Sequence, residues 1–218
     1  MRYTMLGKTE LKVSQATIGT WAIGGAGWGD VNKKESMEAI ETMIERGVNL
    51  IDTAPFYGLG ESEKIVGEVI RDKRDDIVLL TKAGTGWDEK GVPFKRSDYK
   101  SILKDCEESL QRLKTDYIDL YLIHWPDEVT PIEEMMDAMN KLKQDGKIRF
   151  IGASNFSKEE VLESEKYVSF DVLQHPYSMV AQDFRELLTW AHKNNIGTMS
   201  YGSLGAGILT GSIREMPK

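Results

Sequence analysis

A single cysteine, Cys106, in 218 residues leaves no thiol for it to pair with inside the chain. No disulfide framework is therefore expected, and a reducing compartment is. Cys106 sits in the charged helical pattern "KDCEESL" rather than at a strand end, which argues for packing and against a nucleophile. Histidine is scarce as well, with three residues, and neither H-E-x-x-H nor a Cys/His cluster occurs, so no metal is expected. His175 and His192 have no ligand partner at helical spacing and read as structural. Basic charge is also short: 28 Lys and Arg stand against 35 Asp and Glu, for a net charge of -7. A phosphate backbone needs a basic surface, so nucleic acid is not an expected partner. No apolar run approaches the ~20 residues of a bilayer span, and the N-terminus lacks the apolar core of a signal peptide. These absences point to a cytoplasmic protein with no membrane partner.

Two nucleotide-binding motifs are missing too. "GTWAIGGAGWGD" is rich in glycine but lacks the G-x-G-x-x-G spacing of an open dinucleotide-binding sheet. "GKT" at 7–9 is no P-loop, because the earlier glycine that motif requires falls on Arg2.

What is present is alternation. Apolar content of 40% and charged content of 29% describe an ordinary globular chain. Short β-branched runs at 15–18, 48–51, 77–81, 117–123, 148–153, 172–174 and 196–200 predict strands. Amphipathic stretches at 33–46, 61–70, 97–113, 132–144, 158–166 and 184–194 predict helices between them. "ERGVNL", "QDGKIRF" and "KNNIGTM" place Gly or Asn where a helix needs a left-handed cap. Ser157 and Glu160 have the spacing of a capping box. The methionines, among them Met135, Met136 and Met139 on one helix, suit packing between helices and sheet. "YTMLGKTELKVS" reads as a hairpin around Gly7 and Lys8.

Strand, helix, strand in this rhythm implies parallel strands with right-handed crossovers. Without the open-sheet fingerprint, a (β/α)8 barrel is favoured, with the hairpin plugging its N-terminal end. Residues 1–218 are expected to form one domain. About seven strands are counted, and a complete barrel takes ~250 residues. The expectation is therefore a barrel whose C-terminal strand and helices lie beyond residue 218.

In such a barrel the side chains that can cooperate sit at C-terminal strand ends. Those ends carry Asp52, Lys82, His124, Ser154, Asn155, Gln174 and Tyr201, with Tyr57 in the loop after Asp52. Any one of these is most simply a satisfied hydrogen-bonding group or salt-bridge partner. Asp, Lys and His on one face, with a Tyr close behind, are harder to reach by chance. A free phenol titrates near ~10; an adjacent ammonium lowers that value, and a carboxylate paired with the ammonium fixes it. A neutral imidazole can hydrogen-bond a carbonyl oxygen. Such a set polarises and protonates an aldehyde or ketone. With no activated Ser or Cys to attack the carbon, a hydride from a cofactor is the natural reactant.

"LIDTAPFYGLGESEKIVGEVI", "LLTKAG", "DYIDLYLIHWP", "GKIRFIGASNFS", "VLQHPYS" and "MSYGSLGAGILTG" together resemble the aldo-keto reductases, in order and over nearly the whole chain. The resemblance implies a (β/α)8 barrel that reduces small carbonyl compounds with NADPH, NADH remaining open. It implies a tetrad of Asp52, Tyr57, Lys82 and His124, with Tyr57 the general acid, Lys82 depressing its pKa and Asp52 anchoring Lys82. Ser154, Asn155 and Gln174 would hold the carboxamide, and Tyr201 would stack on the nicotinamide. Gly19, Thr20, Trp21, Ser203 and Leu204 would line the ribose and diphosphate. Trp21, Trp28, Trp87 and Trp125 fall in strand-end loops, where core packing and a pocket wall weigh evenly. Trp21, Trp87 and Trp125 are assigned to the substrate pocket. Two other readings compete: a cofactor-binding regulatory module like the potassium-channel β subunits, and a lyase or isomerase barrel. No partner-binding loop supports the first, and no phosphate or metal loop supports the second. Oligomeric state is left open.

Overall fold

The computed structural model describes residues 1–25 and 29–212; Trp28 lies outside them. The chain begins with a hairpin, β1 (Tyr3–Met5) paired antiparallel with β2 (Lys12–Ser14), Tyr3 opposite Ser14. Its turn needs glycine at position 7. Gly7 is left-handed (φ 57), and a Cβ there would lie 2.2 Å from the amide nitrogen of Gly197.

Then come β3 (Ile18–Gly19), α1 (Lys33–Glu45), β4 (Leu50–Asp52), α2 (Glu61–Ile70) and β5 (Val78–Ala83). A second hairpin follows, β6 (Thr85–Trp87) with β7 (Pro93–Lys95). The chain continues through α3 (Tyr99–Leu113), β8 (Ile118–Ile123), α4 (Ile132–Gln144), β9 (Ile148–Ser154), α5 (Lys158–Ser164), β10 (Val172–Pro176), α6 (Arg185–Lys193) and β11 (Gly197–Tyr201). One parallel sheet runs β11-β10-β9-β8-β5-β4-β3. These are seven strands of a (β/α)8 barrel, as the alternation implied.

Period-two alternation builds the barrel's two cores. Outward Ile51, Leu79, Ile123, Ile151 and Leu173 pack under the helices. Inward Leu50, Val78, Leu80, Leu120, Leu122 and Val172 pack on Leu6, Leu11 and Val13 of the hairpin. The hairpin therefore closes the N-terminal floor, as expected. The same alternation turns the next inward positions, Asp52, Lys82, Ser154 and Gln174, to the top of the interior. Between the sheet edges β3 and β11 lies a cavity of about 430 Å³, lined from Leu6 and Val13 below to Asp52, Gln174, Tyr201 and Ser203 above.

The caps form as expected. Glu160 N donates to Ser157 Oγ at 3.2 Å and Ser157 N to Glu160 Oε2 at 2.7 Å. Gly47, Gly146 and Asn195 are left-handed at their helix ends. Several boundaries shift by one to three residues: β3 is the short pair Ile18–Gly19 rather than 15–18, β4 is Leu50–Asp52 rather than 48–51, α3 starts at Tyr99, α5 ends at Ser164 and β10 runs on to Pro176. The hairpin of β6 and β7 was not expected, because "DEKGV" reads as solvated loop. Its turn is made by Asp88, whose Oδ1 accepts from Lys90 N and Val92 N at 2.8 Å, with Gly91 left-handed (φ 78). No helix among the described residues is long and apolar enough to cross a membrane.

Candidate active site

Lys82 is at the centre of the barrel's top layer, 1% exposed. Its ammonium donates to Asp52 Oδ1, to the Thr53 carbonyl at 3.1 Å and to the Tyr57 hydroxyl at 3.1 Å. All three of its donors are thereby engaged. Burial works against the ammonium, but Asp52 foremost and Tyr57 after it more than offset that, and the pKa of Lys82 lies above that of a free lysine.

At Tyr57 the ammonium acts in the expected direction but does not set the balance. Lys82 does pull its pKa down, but burial pushes it up more strongly and Asp52 adds to the rise, so the balance is above 10.0. The desolvation comes from rings that three loops bring together. Trp21 lies 6.4 Å from Tyr57, centroid to centroid, and His124 stands edge-on to it at 5.9 Å. Trp125 stacks on His124 at 3.6 Å, and Phe56 meets both His124 and Trp125 edge-on at 6.2 and 5.8 Å. Phe56 was not singled out in the sequence, since an aromatic next to a loop tyrosine carries no signal of its own.

His124 is held neutral: burial and then the Lys82 charge push its pKa well below 6.5. Its Nδ1 is buried without a hydrogen-bond partner among the described residues. The site thus combines a phenol that keeps its proton, a charged lysine against the phenol oxygen, and an imidazole that does not compete for the proton.

The strand-end polar residues form a second layer. Gln174 Nε2 donates to Asp52 Oδ2 at 2.8 Å. Asn155, left-handed at φ 62, donates through Nδ2 to the His124 carbonyl at 2.9 Å and to Ser154 Oγ at 3.1 Å. Tyr201, at the end of β11, donates its hydroxyl to Asn155 Oδ1 at 2.7 Å. Gly19, Asp52, Gln174, Tyr201 and Ser203 all line the 430 Å³ cavity. Leu204 is exposed beside Ser203. Thr20 is fully buried, with its hydroxyl donating to the Asp52 carbonyl at 3.0 Å. Trp125 is part of the ring cluster. Trp87, at the end of β6, is not among the rings that pack on Tyr57 or His124 in the described residues.

Several contributors went unread in the sequence. Ser62 at the start of α2 hydrogen-bonds Thr20 and Thr53. Glu63, fully buried, accepts from Thr81 Oγ1 and from Arg112 Nε, both at 2.6 Å, and so fastens α2 to β5 and α3. The glycines of "GLGESE" were the available signal, since they mark a turn of unusual shape.

Comparison with known proteins agrees with this geometry. Residues 16–218 match the family model described as the aldo/keto reductase family. An aldo-keto reductase of Bacillus subtilis is 43% identical over 218 residues, which are 99% of this chain and 66% of that protein. The NADH-specific methylglyoxal reductase of Escherichia coli is 40% identical, over 98% of this chain and 70% of its own length. Among solved structures, the glycerol dehydrogenase of Gluconobacter oxydans superposes with a TM-score of 0.91 at 38% identity, covering 99% of this chain and 68% of that one. The chain thus spans about two thirds of the length of these relatives. It belongs to the aldo/keto reductase family.

Proposed function

We propose that this member of the family serves an oxidoreductase that reduces aldehydes or ketones to alcohols, with NADPH as hydride donor and Tyr57 as general acid. The observation that carries the reading is one ammonium, Lys82, touching both Asp52 and the Tyr57 hydroxyl. Reduction of a carbonyl adds a hydride at carbon and a proton at oxygen, and the cofactor when bound supplies the hydride. In this step the described residues handle the proton. Tyr57, its pKa raised, is fully protonated at neutral pH and therefore available as donor. As the proton leaves, negative charge grows on the phenol oxygen 3.1 Å from Lys82 Nζ, where the ammonium stabilises it. Asp52 holds Lys82 in place, and Gln174 holds Asp52. Neutral His124, edge-on to Tyr57, is the group to orient the carbonyl oxygen.

The residues fit a nicotinamide. Gln174 commits its NH2 to Asp52 and keeps Oε1 to accept; Ser154 Oγ accepts from Asn155 and keeps its own proton to donate. One acceptor and one donor complement a primary carboxamide. Asn155 orients Ser154 in that role. Tyr201, 39% exposed and anchored through its hydroxyl, offers a ring face for stacking. Gly19, Trp21, Ser203 and Leu204 would meet the ribose and diphosphate, with Thr20 fully buried and out of their reach, and Trp21, Trp87 and Trp125 would meet the substrate.

The test is to titrate the protein with NADPH and with NADH by fluorescence, then follow loss of reduced-cofactor absorbance with an aromatic aldehyde. Binding with turnover is expected, tighter for NADPH. Tighter NADH binding, the preference carried in the name of the Escherichia coli relative, reverses the cofactor assignment. Binding without turnover favours a regulatory module, and no binding of either nucleotide removes both readings.

A further inference from the structure

Tyr57 sits in a turn whose own sequence does not hold it. Gly58, Leu59 and Gly60 are all left-handed, at φ 64, 53 and 91. For Leu59 that conformation is strained. A run of this kind persists only when its surroundings determine it, and here two features from outside the turn do so.

The first is a backbone clasp. Gly58 lies so close to the loop after β3 that a Cβ on it would sit 1.9 Å from the Gly24 carbonyl oxygen. A Cβ on Gly24 would in turn sit 2.4 Å from the Tyr57 carbonyl carbon. The second is a chain of three hydroxyls, each fully buried. Thr53 Oγ1 and Ser62 Oγ are 3.0 Å apart, Ser62 Oγ lies 2.7 Å from Thr20 Oγ1 and 3.1 Å from the Thr20 carbonyl as acceptors for its proton, and Thr20 donates to the Asp52 carbonyl at 3.0 Å. One direction satisfies every proton: Thr53 to Ser62 to Thr20 to Asp52. Bonds aligned in this way strengthen one another. The chain ends on the carbonyl of Asp52 and begins on Thr53, whose own carbonyl accepts from Lys82 at 3.1 Å. It therefore fixes the start of α2, and with it the exit of the Tyr57 turn, against the two peptide groups that carry Asp52 and grip Lys82.

We propose that Ser62, with Thr20, Thr53 and the Gly24–Gly58 clasp, positions the general acid: it sets the distance from the Tyr57 hydroxyl to Lys82. Ser62 touches no reacting atom, and the proposal rests on the reading of Tyr57 as acid. A misplacement of ~1 Å can cost on the order of 100-fold in rate. Ser62→Ala should lower kcat by about 10-fold or more, with cofactor affinity, read by fluorescence titration, within about twofold of wild type. Thr20→Val, which keeps the shape and removes the hydroxyl, should reproduce that loss, and Thr20→Ser should keep kcat within about twofold. The double variant Ser62→Ala/Thr20→Val should be no slower than either single one, because both break the same chain. A Ser62→Ala protein with wild-type kcat overturns the proposal. So does a loss shared equally with cofactor affinity, or a Thr20→Ser as slow as Thr20→Val. Should Ser62→Ala fail to fold, the Thr20 pair decides alone. Tyr57→Phe measured in parallel separates the two levels: if it keeps turning over, the acid reading falls and the positioning role with it.

Discussion

The barrel holds a carboxylate bound to cationic side chains at each end, and the two differ in kind. At the floor, Asp119 is 1% exposed and accepts from Arg74 Nη2 at 2.8 Å, Arg149 Nη1 at 2.6 Å and Leu79 N at 3.0 Å. Its partners are guanidiniums, which stay charged at every accessible pH, and a backbone amide. At the top, Asp52 is bound to a lysine that also touches a phenol beside a neutral imidazole. The phenol nearest the floor network, Tyr117, lies over Arg74 but gives its hydroxyl to Asp75, so no titratable proton is bound to the floor pair and its charges serve registration of strands. The top network ends on a phenol bound directly to the ammonium, which would stabilise the charge left when the proton is passed to a substrate oxygen. A buried ion pair is therefore no functional signal in itself; the titratable third member is.

Breaking each network should expose that difference. The largest expected effect is on rate. Tyr57→Phe should lower kcat by about 10³-fold, within the range a general acid supplies, and leave cofactor affinity within about twofold. Steady-state kinetics beside a fluorescence titration checks this, and retention of more than about a tenth of the activity sinks the acid assignment. Next comes Asp119→Ala, which takes from Arg74 its carboxylate and leaves Arg149 only the exposed Glu10, 3.3 Å from its Nη2. It should cost about 3 kcal/mol, toward the low end for a broken buried pair because Arg149 is 40% exposed and can turn to water. Chemical denaturation measures that loss, and kcat per folded molecule should stay unchanged. A fall in kcat at wild-type stability would erase the distinction between the two ends.

The sequence shows the top layer well for a physical reason. Alternation of period two, read from apolar strands, turns Asp52, Lys82, Ser154 and Gln174 inward by necessity, and a parallel sheet delivers them to one end. The floor hairpin was legible for a similar reason, since Leu6, Leu11 and Val13 flank a glycine turn. What could not be read are quantities that depend on packing between distant segments. The direction of the Tyr57 shift depends on how completely its surroundings exclude water, and the rings that pack there come from separate loops. The Ser62 chain joins residues 42 and 9 positions apart, with no periodicity to announce it. The β6–β7 hairpin is made by one aspartate side chain folding back on two amides.

A smaller effect separates the two ends by pH. His124 has a folded pKa well below 6.5, so the unfolded chain takes up a proton that the native site refuses. Stability from its neutral form is complete above the unfolded value and drains away as pH falls through and below 6.5. His175, on the outer face of β10 with Nε2 donating to the Phe156 carbonyl at 2.9 Å, is also shifted down by burial and adds to the same trend. His124→Gln should flatten part of the decline in denaturation midpoint between about pH 7 and about pH 5. An unchanged slope would mean that the native ring takes up the proton after all. The floor offers the control, since its arginines do not titrate in this window and Asp119→Ala should leave the slope as it is.

The smallest expected effect concerns a buried group at neither end. Cys106 lies on α3 against the outer face of the sheet, fully buried among apolar neighbours. Burial first, then the nearby acidic groups led by Glu107, push its thiol up to about 12. Since only the thiolate attacks, the native thiol should be inert at neutral pH. If proton chemistry at the top depends on Tyr57 having Lys82 as a charged partner, burial without such a partner should yield no reactivity anywhere. A disulfide reagent should accordingly modify Cys106 no faster than the protein opens, with the rate rising in denaturant along with unfolding. Labelling of the native protein faster than amide exchange of α3 would show a path to the thiol that this packing denies. Cys106→Ala should leave kcat unchanged, because Cys106 packs in the core between helices and sheet, on the face of the sheet away from Lys82.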